Sequence, residues 1–395
     1  MPALSSLLLN IAHALDHLFL LIFATAVGAI AVDFGVARWE DLMPYTVGAF
    51  VMFGLGSVPA GRLGDLWGRR RMMLVFFFGI GLSSIAVAFT QGPWQMAVAL
   101  TVLGAFSAIY HPVGIPMLVQ RATHPGRTIG VNGLAGNLGI ALAAMSTGLL
   151  VEHAGWRAAF IVPGLVSIAA GVLFARVAPP EEAAPARSRS QGPTLPRPLV
   201  VRTFVVMVAS ATTGSLLFNL TTNGNTQMMA ERLDGLVADP GTLGLLLAGL
   251  YGVASIAQLV VGRLIDRVPV KPLFLGILVS QVVLFALASQ AAGWAWYVLA
   301  IAFMISVFGA IPFNDVMVVR YIDDSMRSRV SGTRIAISFG ISSLAVAALG
   351  PAVKAAGFTT LMMAMALIAS LSALIVSALP SDAAMRAARG ADASA

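Results

Sequence analysis

Gly61-Arg-Leu-Gly-Asp65 and Gly262-Arg-Leu-Ile-Asp266 are two copies of one short pattern, and their first residues, 61 and 262, lie 201 positions apart. Nearly the same offset relates two proline-containing apolar segments, around Pro112 and Pro312. Self-similarity at a fixed distance indicates a duplicated architecture. In an apolar chain it predicts two membrane bundles related by duplication.

The composition is that of an integral membrane protein. Of the 395 residues, 58% are hydrophobic and 10% are charged, whereas a soluble domain has about 25% charged residues. The amino-terminal residues lack a basic region and a small-residue cleavage site, so we expect them to enter a retained first helix. The absence of cysteine excludes thiol chemistry, disulfides and thiolate-bound metals. The net charge of +7 comes from basic residues beside apolar spans and does not indicate nucleic-acid binding.

Twelve apolar stretches, each about 20 residues long, can cross the hydrocarbon core and predict an all-α membrane protein. They lie near residues 7–32, 43–62, 72–90, 94–119, 129–151, 157–177, 201–229, 242–262, 272–290, 294–319, 332–352 and 358–379. A Pro-, Ala- and Ser-rich stretch cannot bury a core and reads as a flexible linker between the halves. The predicted domains are a six-helix bundle at 1–177, a linker at 178–200, a six-helix bundle at 201–380 and a tail at 381–395.

The basic residues predict the orientation of these spans. With the amino terminus inside, the only Lys and Arg residues of the 24 that fall on the outer side are Arg38, Arg157, Arg232 and Lys354. This asymmetry is a strong positive-inside signal. We therefore expect both termini and the linker to be cytoplasmic, in a bacterial inner membrane.

The stretch from Gly61 to Arg71 reads Gly-Arg-Leu-Gly-Asp-Leu-Trp-Gly-Arg-Arg-Arg and resembles the signature loop of the major facilitator superfamily. In the second copy Pro269 and Val270 replace the Gly-Arg pair. The resemblance implies the twelve-helix major facilitator fold and transport by alternating access. It also implies that Asp65 bridges the two halves in one state and releases in another. The implied gating residues are Gly61, Asp65, Gly68, Arg69, Arg70, Gly262 and Asp266. The alternative for the arginines is that they only establish topology.

Ionisable residues inside spans are costly and suggest function. His13, Asp16 and His17 share one face of the first span, because they lie three and four positions apart. Asp16 lies nine residues past Leu7, about 14 Å deep, and His111 lies at a similar depth in the fourth span. A histidine near a carboxylate can change charge near neutral pH, as proton coupling requires. The alternative is a packed cluster of hydrogen-bonded polar groups.

Two proline-broken helices indicate where a solute could bind. Tyr110 and His111 adjoin Pro112 in span four, and Asn314 and Asp315 follow Pro312 in span ten. Interrupted helices at equivalent places in both halves are typical of a transporter's binding site. Asp315 could instead pair with Arg320 near the cytoplasmic edge.

Three asparagines complete the predicted solute pathway. Asn137 lies on a glycine-rich face of span five, and Asn219 and Asn223 share a face of the polar seventh span. Each asparagine either binds solute or forms an interhelical hydrogen bond.

A narrower resemblance concerns His13, the Tyr110-His-Pro112 sequence and the Gly136-Asn-Leu-Gly139 sequence. These are similar to the fosmidomycin-resistance-like branch, whose members are proton-coupled exporters. The leading prediction is therefore a proton-coupled secondary transporter of a small organic solute, with export favoured over uptake. The alternatives are an uptake symporter for an organic anion, with Arg334 as counter-charge, and, more remotely, a non-transporting sensor.

We expect no enzymatic activity, because the chain has no Walker loop, zinc-type His-Glu-x-x-His site or Gly-x-Ser-x-Gly elbow. We also expect no cofactor and no bound metal. The expected partners are the solute, protons and the lipid bilayer, and we expect the protein to act as a monomer.

Overall fold

A computed structural model describes residues 3–120, 122–179, 197–321 and 324–380. All regular structure in these residues is helical. The first sequence half contains α1 (Ala3–Asp33), α2 (Val47–Leu55), α3 (Ser57–Trp67), α4 (Arg69–Ala88), α5 (Pro93–Ser107), α6 (Ile115–Val119), α7 (Pro125–Ala154) and α8 (Trp156–Val177). The second half contains α9 (Arg197–Arg232), α10 (Pro240–Ile265), α11 (Val270–Gln290), α12 (Gly293–Tyr321) and α13 (Asp324–Ser377).

These helices account for the twelve predicted spans. Ten stretches of the described residues are long and apolar enough to cross a membrane, and a bent pair, Trp39–Leu55 with Ser57–Trp67, provides one more. The long α13 consists of two helices that meet at a kink at Gly357, where φ is 74° and ψ is 169°. This positive φ, which glycine adopts readily, separates spans eleven and twelve. The all-α fold with six spans in each sequence half is confirmed.

The signature stretch is not a loop but is helical on both sides of a single residue. Gly61 to Asp65 lie within α3, and α4 begins at Arg69. Gly68 joins the two helices with φ 94° and ψ 141°, a conformation open to glycine and strained for other residues. The sharp junction therefore depends on Gly68.

The proline break of span four appears as a widened helical turn. Between α5 and α6, Tyr110–Gly114 form a π-helical segment that includes Pro112. Such turns occur where the regular hydrogen-bond ladder is interrupted, and often at functional sites. Pro312, by contrast, lies inside the continuous helix α12. The expected interruption is therefore present in the first half only.

Small residues allow close helix packing in the first half. Gly139 of α7 faces the main chain of Ala14, so a Cβ there would lie 2.7 Å from the Cα of Ala14. This contact joins α1 to α7 on the glycine-rich face of span five. The glycines thereby bring the polar face of α1 against α7.

The interface between α4 and α8 is held by reciprocal serine bonds. Ser84 donates to the Phe160 carbonyl at 2.7 Å, and Ser167 donates to the Phe77 carbonyl at 2.8 Å. Both hydroxyls are buried, and each satisfies a main-chain acceptor across the interface. This pairing joins α8 to α4, the helix that contacts the π-helical segment.

Residue contacts divide the chain into two units. One comprises Met1–Ala184, Asn219–Val253 and Ser343–Gly357. The other comprises Pro185–Phe218, Ala254–Ser342 and Phe358–Ala395. The first unit thus joins the helices of the first half to parts of α9, α10 and α13, and the sequence-based division into bundles and linker stays a prediction. Most of the predicted linker and the whole predicted tail lie outside the described residues.

One basic residue in each half caps the end of a helix at equivalent positions. Arg70 donates through Nε to the carbonyl of Ala178 at 3.0 Å, and Lys271 donates to the carbonyl of Leu379 at 2.9 Å. Both members of the second pair lie 201 positions after those of the first. A cation at the carboxyl end of a helix satisfies free carbonyls and opposes the negative end of the helix dipole. The duplication therefore extends to side-chain contacts.

Candidate functional site

Four of the predicted residues form one polar cluster in the first half. Asp16 is fully buried, and its Oδ2 lies 3.4 Å from Nε2 of His111. His17 Nε2 lies 3.2 Å from His13 Nε2. The i, i+4 spacing on α1 and the π-helical segment therefore bring together the groups that the sequence placed at matching depth.

Two further residues of the cluster were not predicted. The buried hydroxyl of Ser107, at the end of α5, donates to Oδ1 of Asp16. The main-chain carbonyl of Asn132, on α7, accepts a hydrogen bond from Nδ1 of His13 at 2.7 Å. Asn132 appeared in the sequence only as one polar residue in a glycine-rich span, and Ser107 is an ordinary residue for a helix end. The sequence around Ser107 and Asn132 did not predict their hydrogen bonds, because each bond joins two different helices.

The amide of Asn132 also organises the aromatic side of the cluster. Its Nδ2 donates to the hydroxyl of Tyr110 at 2.6 Å and to Oδ1 of Asn10 at 2.9 Å. The Tyr110 ring stacks on His13 with centroids 4.8 Å apart. These bonds hold the hydroxyl of a fully buried tyrosine beside the imidazoles.

Gly136 forms the wall of the cluster against His13. A Cβ at this position would lie 2.7 Å from both Cε1 and Nε2 of His13. Any larger residue must therefore displace the imidazole. The neighbouring Asn137 is buried, and its Nδ2 has no hydrogen-bond partner among the described residues.

The polar part of α9 is buried as well. Asn219 and Asn223 are 6% and 1% exposed, and Asn223 donates to the carbonyl of Asn219 at 3.0 Å. Oδ1 of Asn223 has no partner in the described part of the chain. Asn225, which was not predicted, donates to the Tyr251 hydroxyl at 3.2 Å. The side chains of Asn314 and Asp315 lie outside what the structure describes.

The predicted gating residues of the first copy lie around the helix junction at Gly68, and those of the second copy lie at the end of α10. Asp65 and Asp266 are both exposed. Arg69 donates to Oε1 of Gln120 at 3.0 Å, and Arg70 caps α8. The arginines therefore have structural contacts within the first half, whatever further role they have.

The glycines of α3 connect the signature stretch to the π-helical segment. A Cβ at Gly61 would lie 3.2 Å from Cβ of Pro112, and one at Gly64 would lie 2.9 Å from Cγ2 of Val113. At the equivalent position of the second half, a Cβ at Gly262 would meet nothing within 4 Å. The close approach belongs to the first copy alone.

The imidazoles of His13, His17 and His111 lie close together, with one ring nitrogen of each within 4.8 Å of the others. This spacing could hold a metal ion. Both nitrogens of His13 are already engaged, Nδ1 with Asn132 and Nε2 with His17. The observed arrangement is therefore a hydrogen-bonded cluster. The expectation that no metal binds stays a prediction.

A family model described as Major Facilitator Superfamily matches residues 9–231, more than half of the chain. The chain belongs to this superfamily. Membership agrees with the twelve helical spans and with the expectation of a transporter rather than an enzyme. The narrower resemblance to the fosmidomycin-resistance-like branch stays a prediction.

Curated relatives of this chain include a tetracenomycin C resistance and export protein of Streptomyces glaucescens. It is 30% identical over 35% of this chain and 27% of its own length. The gallate transporter of Pseudomonas putida is 25% identical over 35% of this chain and 31% of its own length. The aligned regions span about a quarter to a third of such relatives.

Among solved structures, the fold is similar to that of a D-xylose–proton symporter. The TM-score is 0.77 at 13% identity, and the match covers 94% of this chain and 96% of the symporter. At this identity the likeness concerns the fold alone.

Proposed function

We propose that the protein is a secondary active transporter that moves a small organic solute across a bacterial cytoplasmic membrane and couples this movement to protons. The observation that carries the proposal is the contact between Asp16 and His111. Oδ2 of Asp16 and Nε2 of His111 lie 3.4 Å apart, and neither atom has a hydrogen-bond partner among the described residues. One proton between them would complete a hydrogen bond.

Burial makes this pair suitable for coupling. A buried carboxylate is costly unless it is paired or hydrogen-bonded. Asp16 accepts a hydrogen bond from Ser107 and faces the imidazole of His111, a group that can gain or lose a proton. The binding of a proton or a charged solute therefore changes the charge balance of the same site, which is the requirement for coupled transport.

The contacts of the first unit support alternating access. Lys354 donates to Oδ1 of Asp41 at 2.6 Å, and Glu152 accepts from the main-chain N–H of Gly241 at 2.8 Å. A Cβ at Gly148 would lie 3.0 Å from the Cα of Gly244. These contacts join first-half residues to second-half residues at the predicted outer side, and their breakage would accompany opening toward that side.

Asp239 caps the start of α10, close to this contact. Asp239 accepts from the main-chain N–H of Thr242 at 2.7 Å. Hydrogen bonds from Thr242 lower the pKa of Asp239 below its usual range. Asp239 therefore carries a negative charge at the helix amino terminus, where it is stabilised by the helix dipole.

Export remains the favoured direction, because His13, Tyr110-His-Pro112 and Gly136-Asn-Leu-Gly139 resemble an exporter branch and one curated relative is named an export protein. A second candidate is the uptake of an organic anion. One observation favours it, since the side chain of Arg334 is buried with 6% exposure. A buried guanidinium is suited to bind a carboxylate.

Transport by purified protein in proteoliposomes tests the proposal. Gallate and tetracenomycin C, the compounds named for two relatives, are the first probes, and a thermal-shift screen of organic acids, sugars and drugs extends them. We expect a pH gradient to drive solute movement in the wild type and to have no effect in Asp16→Asn. Asp234→Asn removes the same charge from an exposed turn and should transport normally. Undiminished pH-driven transport in Asp16→Asn would reject Asp16 as the coupling group.

A further inference from the structure

We propose that Ser107 and the carbonyl of Asn132 are positioning residues that divide the polar cluster into two functional pairs. In the first pair, Ser107 orients Asp16 so that it exchanges a proton with His111. In the second, Asn132 fixes the tautomer of His13 and keeps His13 and His17 as a neutral hydrogen-bonded pair. This division of roles rests on the proton coupling proposed above and assigns the coupling proton to one side of the cluster.

Ser107 determines which oxygen of Asp16 can meet a proton. Its hydroxyl donates to Oδ1, while Oδ2 faces Nε2 of His111 at 3.4 Å. A hydroxyl that donates to a carboxylate stabilises the ionised form. The donor thus favours release of the proton from Asp16 and directs the remaining oxygen toward His111.

The carbonyl of Asn132 determines the tautomer of His13. A carbonyl oxygen can only accept a hydrogen bond, so the contact of 2.7 Å places a hydrogen on Nδ1 of His13. In the neutral ring, Nε2 of His13 is then an acceptor. The contact of 3.2 Å between the two Nε2 atoms therefore requires His17 to donate.

This order of donors opposes protonation of the second pair. A proton added to Nε2 of His13 would place two N–H groups face to face across 3.2 Å. His17 would have to move or change its tautomer to relieve this contact. Nε2 of His111, in contrast, faces a carboxylate oxygen and gains a partner when it is protonated.

The titratable groups around Asp16 come from two sides. His13 and His17 lie on its own helix α1, and Tyr110 and His111 lie on the π-helical segment. Ser107 is the neutral donor from α5, and Asn132 is the neutral donor and acceptor from α7. A change at Ser107 therefore alters a contact of Asp16 without changing the number of charges in the cluster.

Infrared titration of the carboxyl group tests the first pair without any solute. Spectra of the purified full-length protein are recorded across about pH 4 to 9, and the spectra of Asp16→Asn are subtracted to isolate Asp16. We expect Ser107→Ala to move the midpoint upward by about one pH unit, the equivalent of one hydrogen bond to a charged group. Ser107→Thr keeps the hydroxyl and should restore the wild-type midpoint. Asn132→Ala removes the bonds to Tyr110 and Asn10 but no bond to Asp16, so its midpoint should stay unchanged.

Nitrogen NMR of protein with isotope-labelled histidine tests the second pair, and His13→Gln and His17→Gln assign the signals. We expect a neutral His13 with its hydrogen on Nδ1 and a neutral His17 with its hydrogen on Nε2 throughout the titration of Asp16. Asn132→Ala retains the main-chain carbonyl and should retain both tautomers.

Three results would overturn the proposal: an unchanged midpoint in Ser107→Ala, a Ser107→Thr variant that behaves like Ser107→Ala, or a charged His13 when Asp16 titrates. A carboxyl signal that is constant across the titration in every variant would overturn it as well, because Asp16 would then exchange no proton. These outcomes do not depend on transport, so they are distinct from failure of Asp16→Asn to change pH-driven solute movement. Thermal stability of each variant identifies those that are misfolded.

Discussion

Asp16 on α1 and His111 on the π-helical segment face each other at 3.4 Å, although they lie in different spans. The imidazole is 29% exposed and the carboxylate is buried. His111 is therefore the less buried member of the pair, and the proposed mechanism has the proton enter or leave through it. This asymmetry leads to the first prediction.

We expect His111→Gln to reduce pH-driven transport by about tenfold or more while leaving the protein folded. Glutamine can still donate to Asp16 but cannot carry a charge at neutral pH, and a proton-transfer group contributes about 100-fold or more in other proteins. The measurement is solute flux in proteoliposomes with and without a pH gradient. His153→Gln, which changes an exposed histidine near the end of α7, is the matched control. Equal flux in His111→Gln and the control would contradict the role of His111.

Gly136→Val should abolish transport by displacing His13. The first side-chain atom would lie 2.7 Å from Nε2 of His13, and valine adds two more carbons. Overpacking of this kind costs about 1–3 kcal/mol, so a lower unfolding temperature should accompany the loss. Flux and thermal unfolding are both measured. Gly130→Val on the same helix meets nothing within 4 Å at its Cβ and should retain most of the flux.

Gly64→Ile should slow transport because it separates α3 from the π-helical segment. Isoleucine is the residue at the equivalent position of the second half, Ile265, but at Gly64 a Cβ would lie 2.9 Å from Val113. We expect a lower maximal flux with little change in the solute concentration for half-maximal flux, since the contact lies outside the polar cluster. Gly252→Ala on α10, where a Cβ meets nothing within 4 Å, provides the control and should be active. A Gly64→Ile variant with wild-type flux would show that this close approach is dispensable.

Cross-linking tests whether the contact between Asp41 and Lys354 must break during transport. The chain has no cysteine, so the double variant Asp41→Cys/Lys354→Cys presents only the introduced thiols. Both native side chains are exposed and lie 2.6 Å apart at their polar atoms, within reach of a short bismaleimide. We expect cross-linking to reduce the solute flux at least about tenfold. Loss of the ion pair alone should have little effect, because an exposed pair is worth about 0–1 kcal/mol.

Each single-cysteine variant treated with the same reagent is the control for this experiment. These variants should keep their flux, since no covalent link can form within the protein. Continued transport by fully cross-linked protein would contradict a cycle in which these segments separate.

The spans and the polar groups within them could be predicted from sequence. Hydropathy, helix breakers and helical spacing are local properties, so they located the twelve helices and the shared face of His13, Asp16 and His17. These local properties were a poorer guide to where a proline interrupts a helix, because that interruption depends on packing. Pro112 lies in a widened turn, while Pro312 lies inside a continuous helix.

The amino-acid sequence by itself determined that this chain is a duplicated helical membrane protein, because apolar length, repeated motifs and charge asymmetry are encoded along the chain. Only the tertiary structure decided which polar groups meet. Ser107 lies 91 positions from Asp16, and Asn132 lies 119 positions from His13. Their hydrogen bonds depend on the approach of α5 and α7 to α1, which glycine contacts such as Gly139 against Ala14 make possible. No periodicity within one helix contains that information, since a hydrogen bond between helices depends on the distance between their axes.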